Sequence, residues 1–156
     1  MKPLRRSIAA LVVGGSAALP AQALAVPVPV DPTPQVFPAG VFCPFPLELR
    51  LAGKTDEIQL PDDSTLITSP GQTATMTNLD SGRRVTVNIT GSFLNLPPAA
   101  DGSVRTLARG RNLLGDPDAG LVIAVGDFSF VTAADGTNLV RLSGTGTLTS
   151  VCSLLA

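Results

Sequence analysis

Beyond residue 45 the chain alternates side-chain character with a period of two, and this pattern constrains the fold more than any other feature. Leu47, Leu49 and Leu51 are separated by Glu48 and Arg50; Val85, Val87 and Ile89 by Thr86 and Asn88; Thr145, Thr147 and Thr149 by Gly146 and Leu148. Successive side chains of an extended strand point to opposite faces, so the alternation describes half-buried strands. The 3.6-residue apolar repeat of a helix is hard to find anywhere after Ala25. β-Branched residues recur between Gly and Pro breaks, as a pleated surface favours. Asp80-Ser81-Gly82, Asp101-Gly102 and Asp135-Gly136 each separate two strand-like runs. An Asp-Gly pair supplies the positive φ values of tight hairpin turns.

Strands are expected near 45–52, 57–60, 64–69, 73–79, 84–93, 103–109, 121–132, 138–144 and 145–152, joined mostly by hairpins. The expected fold class is all-β: a single antiparallel meander of about eight strands that closes as a β-sandwich or a flattened β-barrel to hide its edges. Ala99-Ala100-Asp101-Gly102-Ser103 is echoed by Ala133-Ala134-Asp135-Gly136-Thr137, which reads as two turns of the same chemistry rather than as a solenoid. Leu121 to Val125 is apolar without a break, Gly126 and Asp127 interrupt, and Phe128 and Phe130 resume on one face. A buried central strand with a bulge at Gly126 accounts for this run.

The two cysteines, Cys43 and Cys152, lie near the two ends of the strand-rich region. In an exported chain a lone pair of this kind is expected to form one disulfide, tying the first strand to the last. A loop of this size is worth roughly 4.7 kcal/mol in the chain-entropy model. A redox or metal-binding pair would need a short C-x-x-C spacing or neighbouring His, and the sequence has neither.

Export is expected from the first 25 residues. Lys2, Arg5 and Arg6 precede an uncharged stretch from Ile8 to Leu19, and the small-residue triplets ending at Ala23 and Ala25 follow. This is the order of a secretory signal peptide, and the stretch falls short of the roughly 20 apolar residues that span a bilayer. Arg5-Arg6 resembles a twin-arginine signal, but Ala9 and Ala10 follow where bulkier residues are preferred, which favours ordinary Sec export. The mature chain would then carry 8 basic and 12 acidic residues. Residues 26–42 are expected to be a Pro-rich extended linker. Seven prolines between 26 and 46 fix φ and exclude a helix. The segment reads as a stiff tether or, in a sharper version, as a ligand for a proline-recognising groove. Residues 43–156 are expected to form the disulfide-stapled β domain.

Composition narrows the function further. With no His, the Ser-His-Asp and Cys-His mechanisms are absent, as is the commonest metal ligand. Carboxylates remain, at Asp62-Asp63, Asp116, Asp118 and Asp127, but a glycosidase needs two of them at a fixed separation that no spacing here supplies. The reading is therefore non-enzymatic, with no catalytic residues. Asp116 and Asp118, in the loop bounded by Gly115 and Gly120, are a weak calcium candidate, because hard cations take carboxylate oxygens; ordinary turns use the same residues. No other cofactor is expected. A net charge of −1 with no extended basic run speaks against nucleic acid. The absence of Trp and Tyr speaks against a lectin that stacks sugars on aromatic platforms.

Cys43-Pro44-Phe45-Pro46-Leu47, Val85 to Gly91, Asp101-Gly102-Ser103 followed by Gly110, and the closing Gly146 with Val151-Cys152-Ser153-Leu154-Leu155 occur in one order. In this the chain resembles uncharacterised small secreted β-rich proteins of high-GC Gram-positive bacteria. Ser150 stands where those proteins often carry an acidic residue. The resemblance implies export, a β-rich domain and a terminal disulfide, and carries no activity. The leading expectation is a secreted β domain acting as an extracellular or envelope-associated binding or structural module, its partner an extracellular protein or envelope component. The alternative is a carrier of a small apolar ligand or calcium, built on a β-barrel around the Leu121–Phe130 run.

Overall fold

A computed structural model describes residues 26–116 and 120–156. The signal peptide expected at 1–25 lies outside the described residues, as do Pro117, Asp118 and Ala119. The chain runs β1 (Val28–Pro29), β2 (Gln35–Phe37), β3 (Leu47–Ala52), β4 (Lys54–Gln59), β5 (Thr65–Thr68), β6 (Thr73–Asn78), β7 (Arg84–Asn88), β8 (Ser92–Asn95), β9 (Val104–Asp116), β10 (Gly120–Thr132), β11 (Asn138–Ser150) and a short helix α1 (Val151–Leu155). All pairings are antiparallel and form two sheets, β1-β4-β5-β8-β9-β10-β11 and β2-β3-β6-β7. The all-β expectation holds. No barrel closes among the described residues, and the single meander is corrected: β1 pairs with β4, β3 with β6, and β5 with β8, so the chain passes between the sheets four times from β1 to β8.

The corrections have local causes. The strand expected at 84–93 is two strands in different sheets, β7 and β8. The chain changes sheet at Ile89-Thr90-Gly91, where the Ile89 amide bonds to the Gln72 carbonyl (2.9 Å) and the Gly91 amide to that of Arg111 (2.9 Å). The strand expected to stop at 109 runs on to Asp116, because Gly110 adopts a positive φ and stays in the ladder opposite Gly126. The two strands expected over 138–152 are one strand followed by α1. Ser150 caps that helix by accepting the Ser153 amide, and Val151 and Leu155, one helical turn apart, are fully buried. Gly126 carries no bulge; it pairs in register with Gly110 and Gly146, and the irregularity of β10 against β11 falls between Ser129 and Thr132.

The Pro-rich segment contributes β1 to one sheet and β2 to the other. Both are edge strands, the position that residues lacking an N–H can occupy without orphaning a neighbour's carbonyl. The Val30 amide adds a bond to the Gly53 carbonyl (3.1 Å), so residues 28–37 are fastened to the domain at two places rather than standing off as a tether.

Alternation orders the core. On β6, Ala74, Met76 and Asn78 are buried while Thr73, Thr75 and Thr77 are partly exposed. On β10 both faces are covered: Leu121 and Ile123 join Leu47, Met76, Val151 and Leu155 in the main core. Val122, Ala124 and Phe128 pack with Ala108 and Leu114 in a second cluster, sheltered by Phe93, Phe130 and Leu142. Burial on both faces is why this segment reads as a continuous apolar run, and β10 is indeed internal, between β9 and β11. The disulfide Cys43–Cys152 is present, with Cα atoms 5.4 Å apart. It joins the segment before β3 to α1, not strand to strand.

Candidate functional site

Among the described residues, a pocket between the two sheets is built around Phe42. Its ring meets that of Phe37 edge-on, centroids 4.8 Å apart, a favourable aromatic geometry. Its carbonyl oxygen lies 3.1 Å from Cys152 Sγ. That sulfur is bonded to Cys43 and carries no proton, so this is a packing contact and not a hydrogen bond. Gly115 and Gly120 flank Phe42 across the β9–β10 connection; a Cβ on Gly115 would touch the ring, and one on Gly120 would collide with the Phe42 carbonyl. The glycines that make the Asp116/Asp118 loop look like a cation site thus have another use, which is to let the chain before β3 lie close against β9 and β10.

Beneath Phe37 and Phe42 lies a cavity of about 270 Å³. The four-stranded sheet supplies Leu49 and Leu51 from β3. The seven-stranded sheet supplies Phe93, Leu113 and Leu121 from β8, β9 and β10, and Ile89 comes from the crossing between the sheets. Two amides complete the wall, Gln72 and Asn112, and no charged residue lines it. Asn112 is 2% exposed and donates to the Arg109 carbonyl at 3.0 Å. Gln72 continues the inward series of β6, two residues before Ala74, and is 9% exposed. Its main chain is satisfied, the amide by Ser69 O (3.2 Å) and the carbonyl by Ile89 N (2.9 Å). Its side-chain amide has no hydrogen-bond partner among the described residues and stays accessible from the cavity; the fully buried side-chain atom without a partner is Ser64 Oγ, which does not line this space. Asn78, at the other end of the same inward series, is the contrast: its Nδ2 donates to Leu155 O (3.0 Å) and its Oδ1 accepts from Asp80 and Ser81.

The residues singled out from the sequence fall elsewhere. Asp116 ends β9 opposite Gly120; Asp118 lies outside the described residues. Among the described residues no three acidic or Cys side chains converge on a point that could hold a metal. Asp127 sits in the ladder opposite Arg109, 3.5 Å from its Nε, and both side chains are largely exposed. They border a smaller groove of about 190 Å³ over Phe128. Asp62 belongs to the β4–β5 turn, where it accepts the Ser64 amide (3.2 Å). Of the Leu121–Phe130 run only Leu121 reaches the cavity.

Gln72 and the β3 leucines escaped the sequence reading as a site. A Gln at the inward parity of a strand that otherwise buries Ala and Met is the signal that was there to find. Among the described residues no helix is long and apolar enough to cross a membrane. No protein-family model, no curated protein and no solved structure matches this chain.

Proposed function

We propose that the protein is an exported, non-catalytic binding module, extracellular or envelope-associated, that holds a small apolar molecule between its two sheets, an open sandwich being the architecture this implies. The cavity under Phe37 and Phe42 carries this reading. Around 270 Å³ of open space between its layers the chain leaves apolar side chains in contact with water, surface whose burial by a few larger side chains would stabilise the fold. The volume approaches that of small ligand sites, about 300 Å³ and upward, and the wall matches their chemistry, apolar side chains with a few polar groups. The disulfide is compatible with an oxidising destination. The lack of His in the sequence supports a role without acid–base turnover.

Titration with the neutral fluorescent dye 1-aminonaphthalene, whose eleven non-hydrogen atoms suit a cavity of this size, tests the reading. The chain has no Trp or Tyr, so dye emission is read against almost no protein background. Saturable one-to-one binding is expected, abolished in Leu113→Trp and weakened in Leu49→Phe, with unchanged far-UV circular dichroism. Failure of the wild type to saturate, or equal binding by the folded variants, would overturn it.

A further inference from the structure

We infer that the cavity selects a neutral amphiphile: an apolar body of about ten non-hydrogen atoms ending in an uncharged group that both donates and accepts hydrogen bonds, received by the side-chain amide of Gln72. The inference rests on the cavity being a ligand site and adds the chemistry that site selects. The size follows from comparison with an engineered cavity of about 150 Å³ that takes up benzene, against 270 Å³ here.

Gln72 is the observation that points to the head group. It is more than nine-tenths buried, it lines the cavity, and its backbone is satisfied while its amide has no partner among the described residues. Polar side chains this far inside a fold are ordinarily paired, as the buried asparagines Asn78 and Asn112 are; the Gln72 amide instead keeps its bonding capacity accessible to whatever enters the cavity. An amide presents a carbonyl oxygen and an NH₂ group together, so its natural complement is another group with both functions, a primary amide or an alcohol. A carboxylate is disfavoured, because no cation lines the wall and a charge taken into such a site loses its hydration without compensation. A pure hydrocarbon is disfavoured for the opposite reason. It fills the space and leaves Gln72 both desolvated and unpaired, and sites built to hydrogen-bond a ligand group discriminate strongly against analogues lacking it.

The test is dye displacement by three molecules of equal size, octanamide, octanoate and decane, on the wild type and on Gln72→Leu, at pH 7.5. Octanamide is expected to bind at least about tenfold more tightly than the other two, the value of one net hydrogen bond. In Gln72→Leu that advantage falls to within about twofold while dye and decane still bind. Gln72→Met serves should the branched side chain disturb folding, and the wild-type series decides alone should neither variant fold. Equal binding of octanamide and decane by the wild type, or an undiminished preference in the variants, would overturn the head-group inference and leave the cavity reading standing. Absence of dye and decane binding by the wild type would instead defeat the cavity reading itself.

Discussion

Asp31, Asp101 and Asp135 each accept a hydrogen bond from the amide two residues on, at 2.9 Å. Hydrogen bonding from Thr33 and Ser103, hydroxyl first and amide second, holds the first two carboxyls below their ordinary values; for Asp135 the Thr137 amide comes first. Glu48 is likewise lowered by its hydrogen bond from Arg50, 2.9 Å away. A carboxyl depressed in the folded state stabilises the fold above its unfolded value and loses that contribution as pH falls through the folded one. Because the chain has no His, the melting temperature is expected to stay level from about pH 6 to 8 and to fall below about pH 4. A step between pH 6 and 7 would contradict this. Asp101→Asn keeps the acceptor that shapes its turn and should melt with the wild type at neutral pH, whereas Asp101→Ala should melt a few degrees lower and show a shallower acid limb. The turns at Asp101 and Asp135 are legible as Asp-Gly pairs, since their chemistry is contained within four or five neighbouring residues; Asp31 precedes a proline and carries no such signal.

At the scale of elements, Gly110, Gly126 and Gly146 stand in register across β9, β10 and β11, all with positive φ. A Cβ on Gly126 would meet the Thr145 carbonyl, and one on Gly146 the Val125 carbonyl. The row is a crease without side chains, along which neighbouring backbones come close. Gly126→Ala combines a conformation that L-residues avoid with a collision against main chain, and is expected to destabilise by about 3 kcal/mol or more. Gly136→Ala, whose Cβ would meet nothing within 4 Å, should cost clearly less. Urea midpoints of the two variants make the comparison, and equal losses would refute the crease. The sequence shows the glycines but not their register, because which glycine faces which depends on where two distant turns place their strands. The same limit applies to α1: five residues are too few to establish a helical period, and the strand expected at 145–152 takes in only its first two residues.

For the whole molecule, the Cys43–Cys152 bridge spans 109 residues. Its removal by Cys43→Ala with Cys152→Ala is expected to lower stability by about 4–5 kcal/mol, and to weaken dye binding, since Phe42 adjoins Cys43. An unchanged urea midpoint would contradict the first expectation. The strands were legible residue by residue, but their division between two sheets was not. That division is set by pairings such as Leu66 with Leu94 and Leu49 with Met76, which no local pattern encodes. The cavity was illegible for the same reason, since its walls come from β2, β3, β8, β9 and β10 and meet only in three dimensions.

β9, β10 and β11 each run 13 residues, about 40 Å at the usual rise per residue. One end of this ribbon is clamped by α1, the disulfide and Phe42. At the other, the turns at 99–103 and 133–137 lie side by side, Gly102 against Ala134. β8 supports the ribbon along β9 from Arg109 to Thr106, and beyond it the two turns project as the tip of a cantilever. Its backbone hydrogen bonds should exchange with solvent in a gradient, slowest around Leu121 to Ala124 and fastest toward Thr132. Longer or foreign turns grafted at the free end would load the tip without disturbing the root, where the cavity lies.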